Sequence, residues 1–255
     1  TYSLKDLAKQ VGQAAAQRFV DAAGGDATRA YRTWLDTYVQ HVADEPINAN
    51  ADSYTTAAKL LRRFAPKLKT MDACQSQAVA GMVDIWIPQL DHFHKGYEFF
   101  KARQAAGDEV WFYTCMYPSG EYANRFVELP LIKTRLTHWI NFKYGATGYL
   151  HWGYNYWPPH VWQDTADYRM SRLPGGDANI VYPAKDGLGV LDSIRYEAMR
   201  DGIEDHELLS QLAEKDEAAA QNLAGRVVQD FTTYDTDVTR FRKTRRELLE
   251  AVSAR

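Results

Sequence analysis

A β-prone run ends in two adjacent carboxylates and a proline in the stretch Thr37-Tyr38-Val39-Gln40-His41-Val42-Ala43-Asp44-Glu45-Pro46. A helical pattern follows, so this stretch predicts a strand, a short turn and a helix. Successive side chains of a strand point to opposite faces, and Asp44 and Glu45 are therefore expected to lie in different environments. Two carboxylates in different environments are what acid/base chemistry on a sugar requires.

Strand and helix patterns alternate on both sides of this stretch. Alternation of this kind predicts a parallel sheet with right-handed helical crossovers, and nearly uniformly apolar strands indicate that helices cover it. Five strands are predicted, whereas a closed (β/α)₈ barrel has eight. Either the first three strands belong to an absent N-terminal part, or the sheet is open. The predicted strands are residues 37–42, 68–73, 80–88, 109–115 and 148–153, and the predicted helices are residues 3–23, 26–35, 53–64, 89–106 and 130–143.

The sequence changes character after Trp157. Residues 158–189 are rich in Pro, Gly and Asp, with one apolar run at 179–183, and long ordered loops of this kind usually build sites. Residues 192–212 and 218–252 then predict two helices. We therefore expect residues 1–157 to form the barrel portion with catalytic strand ends. Residues 158–255 are expected to form a site-covering loop and C-terminal helices packed on the barrel.

Composition excludes several classes of protein. The 255 residues suffice for one large domain or two small ones, and a net charge of -3 gives no reason to expect a nucleic-acid partner. No apolar run has the length of a membrane-spanning helix, so membrane insertion is not expected. The chain starts with Thr1, which suggests that a leader or a larger N-terminal part was removed. A secreted, periplasmic or cell-surface location is accordingly favoured over a cytoplasmic one.

Polar and aromatic residues gather at the predicted carboxyl ends of the strands, where the active site of an α/β barrel lies. The 7 Trp and 16 Tyr of the chain include many near these ends. Aromatic rings with polar tips suit sugars, which present apolar faces ringed by hydroxyls. The residues at these ends are His41, Asp44, Glu45, Asp72, Asp84, Trp86, Tyr113, Tyr117, Trp152, Tyr154, Asn155 and Tyr156.

Other chemistries lack support in the sequence. His92 and His94 form the one H-x-H pattern, but on a helix their side chains point apart, so no metal site is predicted. There is no Gly-rich nucleotide loop, no P-loop and no G-x-S-x-G elbow, so no cofactor is expected. The basic residues between Arg240 and Arg246 are interpreted as a solvated helix face.

Long ordered motifs lie between about Trp34 and Leu212. They are His41-Val42-Ala43-Asp44-Glu45-Pro46, Val83-Asp84-Ile85-Trp86-Ile87-Pro88-Gln89, Trp111-Phe112-Tyr113-Thr114-Cys115, Asn124-Arg125-Phe126, Gly148-Tyr149-Leu150-His151-Trp152-Gly153-Tyr154-Asn155-Tyr156-Trp157 and Asp192-Ser193-Ile194-Arg195-Tyr196-Glu197-Ala198-Met199-Arg200-Asp201-Gly202-Ile203-Glu204-Asp205. Over this span the chain resembles glycoside hydrolase family 123, whose catalytic domain is also catalogued as domain of unknown function 4091.

The resemblance implies a (β/α)₈ barrel, of which this chain would be the C-terminal five units plus C-terminal helices. It implies removal of terminal β-linked N-acetylhexosamine, chiefly N-acetylgalactosamine, from a glycan or glycoconjugate by substrate-assisted retaining catalysis. The family's Asp-Glu pair corresponds to Asp44 and Glu45. Asp44 would orient the substrate's acetamido N–H, and Glu45 would be the general acid/base.

The other strand-end residues are expected to bind the sugar. Trp86, Tyr113, Trp152 and Tyr154 would form the pocket walls, and either Trp152 or Tyr156 would stack on the ring. Either Tyr113 or Tyr154 would hold the acetamido carbonyl. The remaining candidates are Asp84 and Asn155, for sugar hydroxyls, with His41 and Tyr117. Two alternatives stay open: a carbohydrate-binding or structural module without turnover, and a hydrolase with another sugar preference.

Overall fold

Five short strands form a parallel sheet in the order in which they occur in the chain. The computed structural model describes residues 13–22, 24–25, 37–157, 159–162 and 173–254. Ladders pair β1 with β2 and β4 with β5 in parallel, with His41 opposite Met71 and Tyr113 opposite Leu150. The strands are β1 (Val39–His41), β2 (Lys69–Asp72), β3 (Ile85–Trp86), β4 (Glu109–Tyr113) and β5 (Gly148–Leu150).

Helices connect and follow these strands. Two 3₁₀ turns, Asn48–Asn50 and Gln77–Val79, and an antiparallel hairpin of β6 (Val181–Pro183) with β7 (Val190–Asp192) complete the fold. Among the described helices, none combines the length and hydropathy that a membrane span requires. The helices are α1 (Gln13–Ala22), α2 (Ala51–Phe64), α3 (Leu90–Lys95), α4 (Tyr97–Ala105), α5 (Ile132–Lys143), α6 (Ile194–Val227) and α7 (Val238–Ser253).

The mixed α/β class and the parallel sheet are confirmed, and each strand is shorter than predicted. Consecutive parallel strands are compatible with part of a (β/α)₈ barrel, and the described residues add no sixth strand to the sheet. Closure into a full barrel stays a prediction. Between β2 and β3 the described chain has only a 3₁₀ turn where strict alternation would place a helix. The helix predicted at 26–35 lies outside the described residues.

The break predicted between the two C-terminal helices, after residue 212 and before residue 218, is confirmed. Asp216 interrupts α6 with a non-helical φ of -152° and ψ of 89°, and its Oδ1 accepts the Ala219 N–H at 2.9 Å. The continuous helix predicted over residues 218–252 is wrong, because the chain leaves the helix at residues 228–237, where Asp230 Oδ1 accepts the main-chain N–H groups of Thr232 and Thr233. Helix α7 then starts beyond Asp237, whose side chain caps it through the Arg240 N–H.

The chain divides into two compact units, residues 1–85 and 86–255, which are described separately. In the first unit, Tyr54 and Ala58 of α2 are buried, as are Thr70 and Asp72 of β2.

In the second unit, α5 packs against α6, and α6 against α7. Gly202 permits the close approach of α6 to α5, since a Cβ there would lie 2.5 Å from the Arg135 carbonyl oxygen. The boundary predicted at Trp157 falls inside this second unit.

Candidate active site

The turn after β1 presents the adjacent acids Asp44 and Glu45 at the surface of the first unit. Glu45 has a φ of 44°, and it is the one non-glycine residue with positive φ among those described. A side chain with a Cβ rarely adopts this conformation, so surrounding contacts must hold it. Pro46, the next residue, is buried and anchors the far side of the turn.

Asp72, at the end of β2, anchors the near side of this turn. Its carboxylate is fully buried, and Oδ1 accepts the main-chain N–H groups of Val42 at 3.2 Å and Ala43 at 3.1 Å. His41 Nε2 lies 2.9 Å from the same oxygen, and the Tyr54 hydroxyl donates to Oδ2. Burial raises the pKa of Asp72. Burial, together with the bond to Asp72, raises the pKa of Tyr54 above its usual range.

Asp84 does not lie at the carboxyl end of a strand, so its predicted position is wrong. It immediately precedes β3, whose ladder begins only at Ile85. Its Oδ2 accepts the Thr70 N–H at 2.8 Å and the Thr70 hydroxyl at 2.9 Å, and Oδ1 pairs with Arg62 at 3.0 Å. These bonds tie the start of β3 to β2 and α2, which is a structural role.

Trp86 is a core residue of the second unit rather than a pocket wall. Its side chain is fully buried, and Nε1 donates to Asp108 Oδ2 at 2.8 Å. Its ring meets Phe99 and Phe100 of α4 edge-on, at centroid distances of 5.3 and 6.0 Å. No ring face is left for a sugar, because the side chain faces the helix that covers the sheet.

Tyr113 and Tyr117, two predicted site residues at and after the end of β4, differ strongly in exposure. Tyr113 is the last residue of β4, is 4% exposed, and its N–H donates to the Pro88 carbonyl at 3.0 Å. Tyr117, four residues later, is 55% exposed. Only Tyr117 therefore offers a large free surface.

The segment after β5 exposes three aromatic rings and an amide. Trp152, Tyr154 and Tyr156 are 44–50% exposed, and Asn155 is also exposed. The rings of Trp152 and Tyr156 lie 5.5 Å apart, tilted by 56°. The Tyr154 ring meets Tyr196 edge-on at 6.4 Å, and burial raises the pKa of its hydroxyl. An exposed group of aromatic rings with polar tips is suited to bind a sugar.

A buried polar cluster lies behind Trp152. Trp152 Nε1 donates to Asp177 Oδ2 at 3.0 Å, and Asp177 is fully buried. His151 Nδ1 accepts from the Gly153 N–H at 3.1 Å and lies 2.7 Å from Arg125 Nη2, which can only donate. The imidazole hydrogen is therefore on Nε2, 3.2 Å from Asp177 Oδ1. Burial lowers the pKa of His151 to about 4, so the ring is neutral.

Two arginines fix the main chain of this cluster. Arg125 donates to the carbonyl oxygens of Gly153 and Asp177, and burial lowers its pKa to about 10. Arg195 of α6 donates to the carbonyls of Arg125, Gly176 and Asn179 at 2.8–2.9 Å. Gly176 has a φ of 80°, and a Cβ there would lie 2.5 Å from the Arg195 guanidinium. The 173–180 segment is thereby held against the end of β5.

Sequence reasoning missed this cluster. Arg125, His151 and Arg195 stood within motifs of the resemblance but received no role, and Asp177 lay in the stretch interpreted as a loop. The available signal was the run Leu173-Pro174-Gly175-Gly176-Asp177-Ala178-Asn179-Ile180, in which two glycines precede an acid within an apolar segment. The described residues contain no group of three or more His, Cys, Asp or Glu side chains placed to hold a metal ion.

Comparison with known proteins agrees with the fold. A solved family 123 glycoside hydrolase from Clostridium perfringens, described in terms of glycolipid glycan hydrolysis, matches with a TM-score of 0.62 at 16% identity. The match covers 92% of this chain and 42% of that one, so this chain spans less than half of its length. No curated protein matches. The model of the glycoside hydrolase 123 catalytic domain matches residues 28–212. The chain belongs to glycoside hydrolase family 123.

Proposed function

We propose that this chain is a catalytic domain that removes terminal β-linked N-acetylhexosamine, with N-acetylgalactosamine as the expected sugar. One observation carries the proposal: the chain belongs to a glycosidase family and presents adjacent carboxylates, Asp44 and Glu45, on an exposed turn at a strand end. The Clostridium perfringens relative is described as acting on glycolipid glycans, so glycolipid glycans are a substrate class to test.

The proposed reaction is substrate-assisted. The carbonyl oxygen of the substrate's acetamide attacks the anomeric carbon, and Glu45 gives its proton to the departing glycosidic oxygen. Asp44 accepts the acetamide N–H and stabilises the positive charge that develops on the oxazolinium ring. Water then attacks the anomeric carbon while the Glu45 carboxylate takes its proton, which restores the acetamide and retains the configuration. No enzyme nucleophile is required, unlike in most retaining glycosidases.

The placement of the two acids supports this division of roles. They are consecutive and both exposed, so one turn presents both to the same substrate. Attack by a group of the substrate depends on proximity, so the acetamide must be held close to the anomeric carbon. A carboxylate fixed beside the general acid performs that task.

Aromatic residues at the carboxyl ends of β4 and β5 are proposed to hold the sugar. Trp152 or Tyr156 stacks on its apolar face, since both rings are nearly half exposed. The acetamido carbonyl is assigned to Tyr113 or Tyr154, of which Tyr154 has the exposed hydroxyl-bearing ring. Asn155 remains a candidate for the sugar hydroxyls, with His41 and Tyr117. Asp84 and Trp86 are left out because their side chains serve the strand start and the core.

Hydrolysis of 4-nitrophenyl β-glycosides tests the proposal. Release of 4-nitrophenol is expected from the N-acetylgalactosaminide but not from the galactoside, which lacks the acetamide. A thiazoline mimic of the intermediate should inhibit competitively. Equal turnover of galactoside and N-acetylgalactosaminide would contradict substrate assistance. Saturable glycan binding without release of any aglycone would indicate a binding module instead.

A further inference from the structure

We propose that Asp72 is the positioning residue of the catalytic turn: its buried carboxylate fixes the backbone from which Asp44 and Glu45 project. The inference rests on the proposed function for the roles of those two acids. The geometric part concerns only the first unit and stands on the contacts of one carboxylate with β1 and α2.

The register of the sheet shows what Asp72 replaces. Lys69, Thr70 and Met71 pair with Val39, Gln40 and His41, so Asp72 stands where the partner of Val42 would be. Instead of continuing the main-chain ladder, the side chain of Asp72 receives the N–H groups of Val42 and Ala43. The ladder of β1 ends at His41, and the next two N–H groups both bond to this carboxylate.

The carboxylate is itself held from several directions. Oδ1 receives the two main-chain N–H groups and lies 2.9 Å from His41 Nε2, and Oδ2 receives the Tyr54 hydroxyl from α2. With this many partners, an ionised carboxylate has its lone-pair positions largely filled. A side chain fixed in this way is preorganised and loses no further freedom when substrate binds.

The consequence reaches Glu45, which is two residues after Ala43 in the chain. A positive φ at a non-glycine residue persists only where the surroundings determine it. Asp72 fixes the chain on one side of the turn, and buried Pro46 fixes it on the other. Without the carboxylate, the turn is free to relax toward ordinary backbone angles, which would displace both catalytic side chains.

The test is Asp72→Asn, which keeps the shape but replaces the charged acceptor of the two N–H groups with a neutral amide oxygen and places an amide NH2 group opposite the Tyr54 hydroxyl. We expect kcat on the 4-nitrophenyl N-acetylgalactosaminide to fall about 100-fold, since small misplacements of reacting groups have effects of that size. KM should change less than about 3-fold, because the side chain does not touch the sugar. Tyr54→Phe removes one donor to the carboxylate and should give a smaller loss of kcat.

Thr70→Val is the matched control. Thr70 is also fully buried on β2, two residues earlier, and its hydroxyl lies 2.9 Å from both the Met82 carbonyl oxygen and Asp84 Oδ2, away from the turn. The Thr70→Val variant loses a buried hydrogen bond of the same strand but should keep wild-type kcat. Equal loss of kcat in Thr70→Val and Asp72→Asn would overturn the proposal, because a general loss of stability would then account for both.

Amide hydrogen exchange provides a readout that does not depend on activity. In Asp72→Asn, the Val42 and Ala43 amides should exchange about 10-fold faster, since a hydrogen bond to a charged acceptor is stronger than one to a neutral acceptor by roughly that factor, whereas Thr70→Val should leave them unchanged. If the Val42 and Ala43 amides exchange faster in Asp72→Asn but the wild-type protein is inactive, the proposed function is refuted and the positioning role stands. Unchanged protection, or wild-type kcat in Asp72→Asn, would overturn the positioning role alone.

Discussion

The Trp152 indole N–H donates to the carboxylate of Asp177, so an exposed aromatic ring is fixed by a fully buried acid. Asp177 also faces His151 at 3.2 Å, and Arg125 holds its carbonyl. An exposed ring that is locked from behind offers a sugar a preorganised surface, which lowers the entropy lost on binding.

Asp177→Asn should therefore weaken substrate binding more than catalysis. The amide has one oxygen, which accepts, and one NH2 group, which donates. One of the two N–H groups that face the carboxylate, from Trp152 and His151, would then face a donor, so Trp152 is no longer fixed. We expect KM for the 4-nitrophenyl N-acetylgalactosaminide to rise about 10-fold, the equivalent of one net hydrogen bond, with kcat within about 3-fold of wild type.

Asp108→Asn is the matched control for that variant. Asp108 Oδ2 accepts the indole N–H of Trp86 at 2.8 Å, so the same kind of bond is broken at a tryptophan of the core. Kinetic constants should stay at wild-type values. A KM increase of similar size in both variants would show that the change at Asp177 acts through general loosening of the unit.

The two acids of the turn should respond differently to neutral replacement. Glu45→Gln should lose about 10³-fold on substrates with poor leaving groups, which need the proton, and much less on 4-nitrophenyl glycosides, which do not. Asp44→Asn should lose activity on both, because charge stabilisation is needed whatever the leaving group. Comparing kcat/KM on an aryl glycoside and an oligosaccharide measures the difference. An equal loss of Glu45→Gln on both substrates would contradict its role as general acid.

The order of strands along the chain was predictable from sequence because apolar runs such as residues 110–113 alternate with amphipathic helices. The ends of short strands were not predictable in the same way. Asp72 and Asp84 both flank an apolar run, yet Asp72 ends β2 and Asp84 precedes β3, which is only two residues long. Whether a flanking acid precedes or follows a strand depends on where the ladder begins and stops. The hydrogen bonds between strands determine those limits.

The proposed catalytic pair and the exposed aromatic segment could be named from sequence because their residues are consecutive in the chain. The cluster behind Trp152 was not found, because its members come from four separate segments and are joined only by folding. Asp177 contacts Trp152 from 25 positions away, and Arg195 reaches the Arg125 carbonyl from 70 positions away. Periodicity and local motifs carry no information about such distant pairs.

Asp205 of α6 should be a major determinant of stability. Its fully buried carboxylate pairs with Arg135 of α5 and Arg245 of α7, each at 2.7 Å, and accepts the Trp139 indole N–H at 3.0 Å. Asp205→Ala leaves partly buried Arg245 without this counter-charge and leaves Arg135 with Asp201 alone, which should lower the free energy of unfolding by about 3–5 kcal/mol. Denaturant unfolding monitored by tryptophan fluorescence measures the loss. The exposed Glu197–Arg200 pair of α6 is the control, and Glu197→Gln should change the midpoint far less.

Two buried histidines should make the protein lose stability in mild acid. Burial lowers the pKa of His151 and His138 from 6.5 to about 4, so both rings stay neutral in the folded state while the unfolded chain takes up protons below 6.5. Their contribution is complete above pH 6.5 and is lost as pH falls toward 4, at a cost of roughly 3 kcal/mol for each histidine. Thermal unfolding between pH 7.5 and 4.5 should therefore show a falling midpoint. His138→Gln should be less stable at pH 7 but show a shallower fall with pH. An unchanged slope would mean that His138 is protonated as readily in the folded protein as in the unfolded chain.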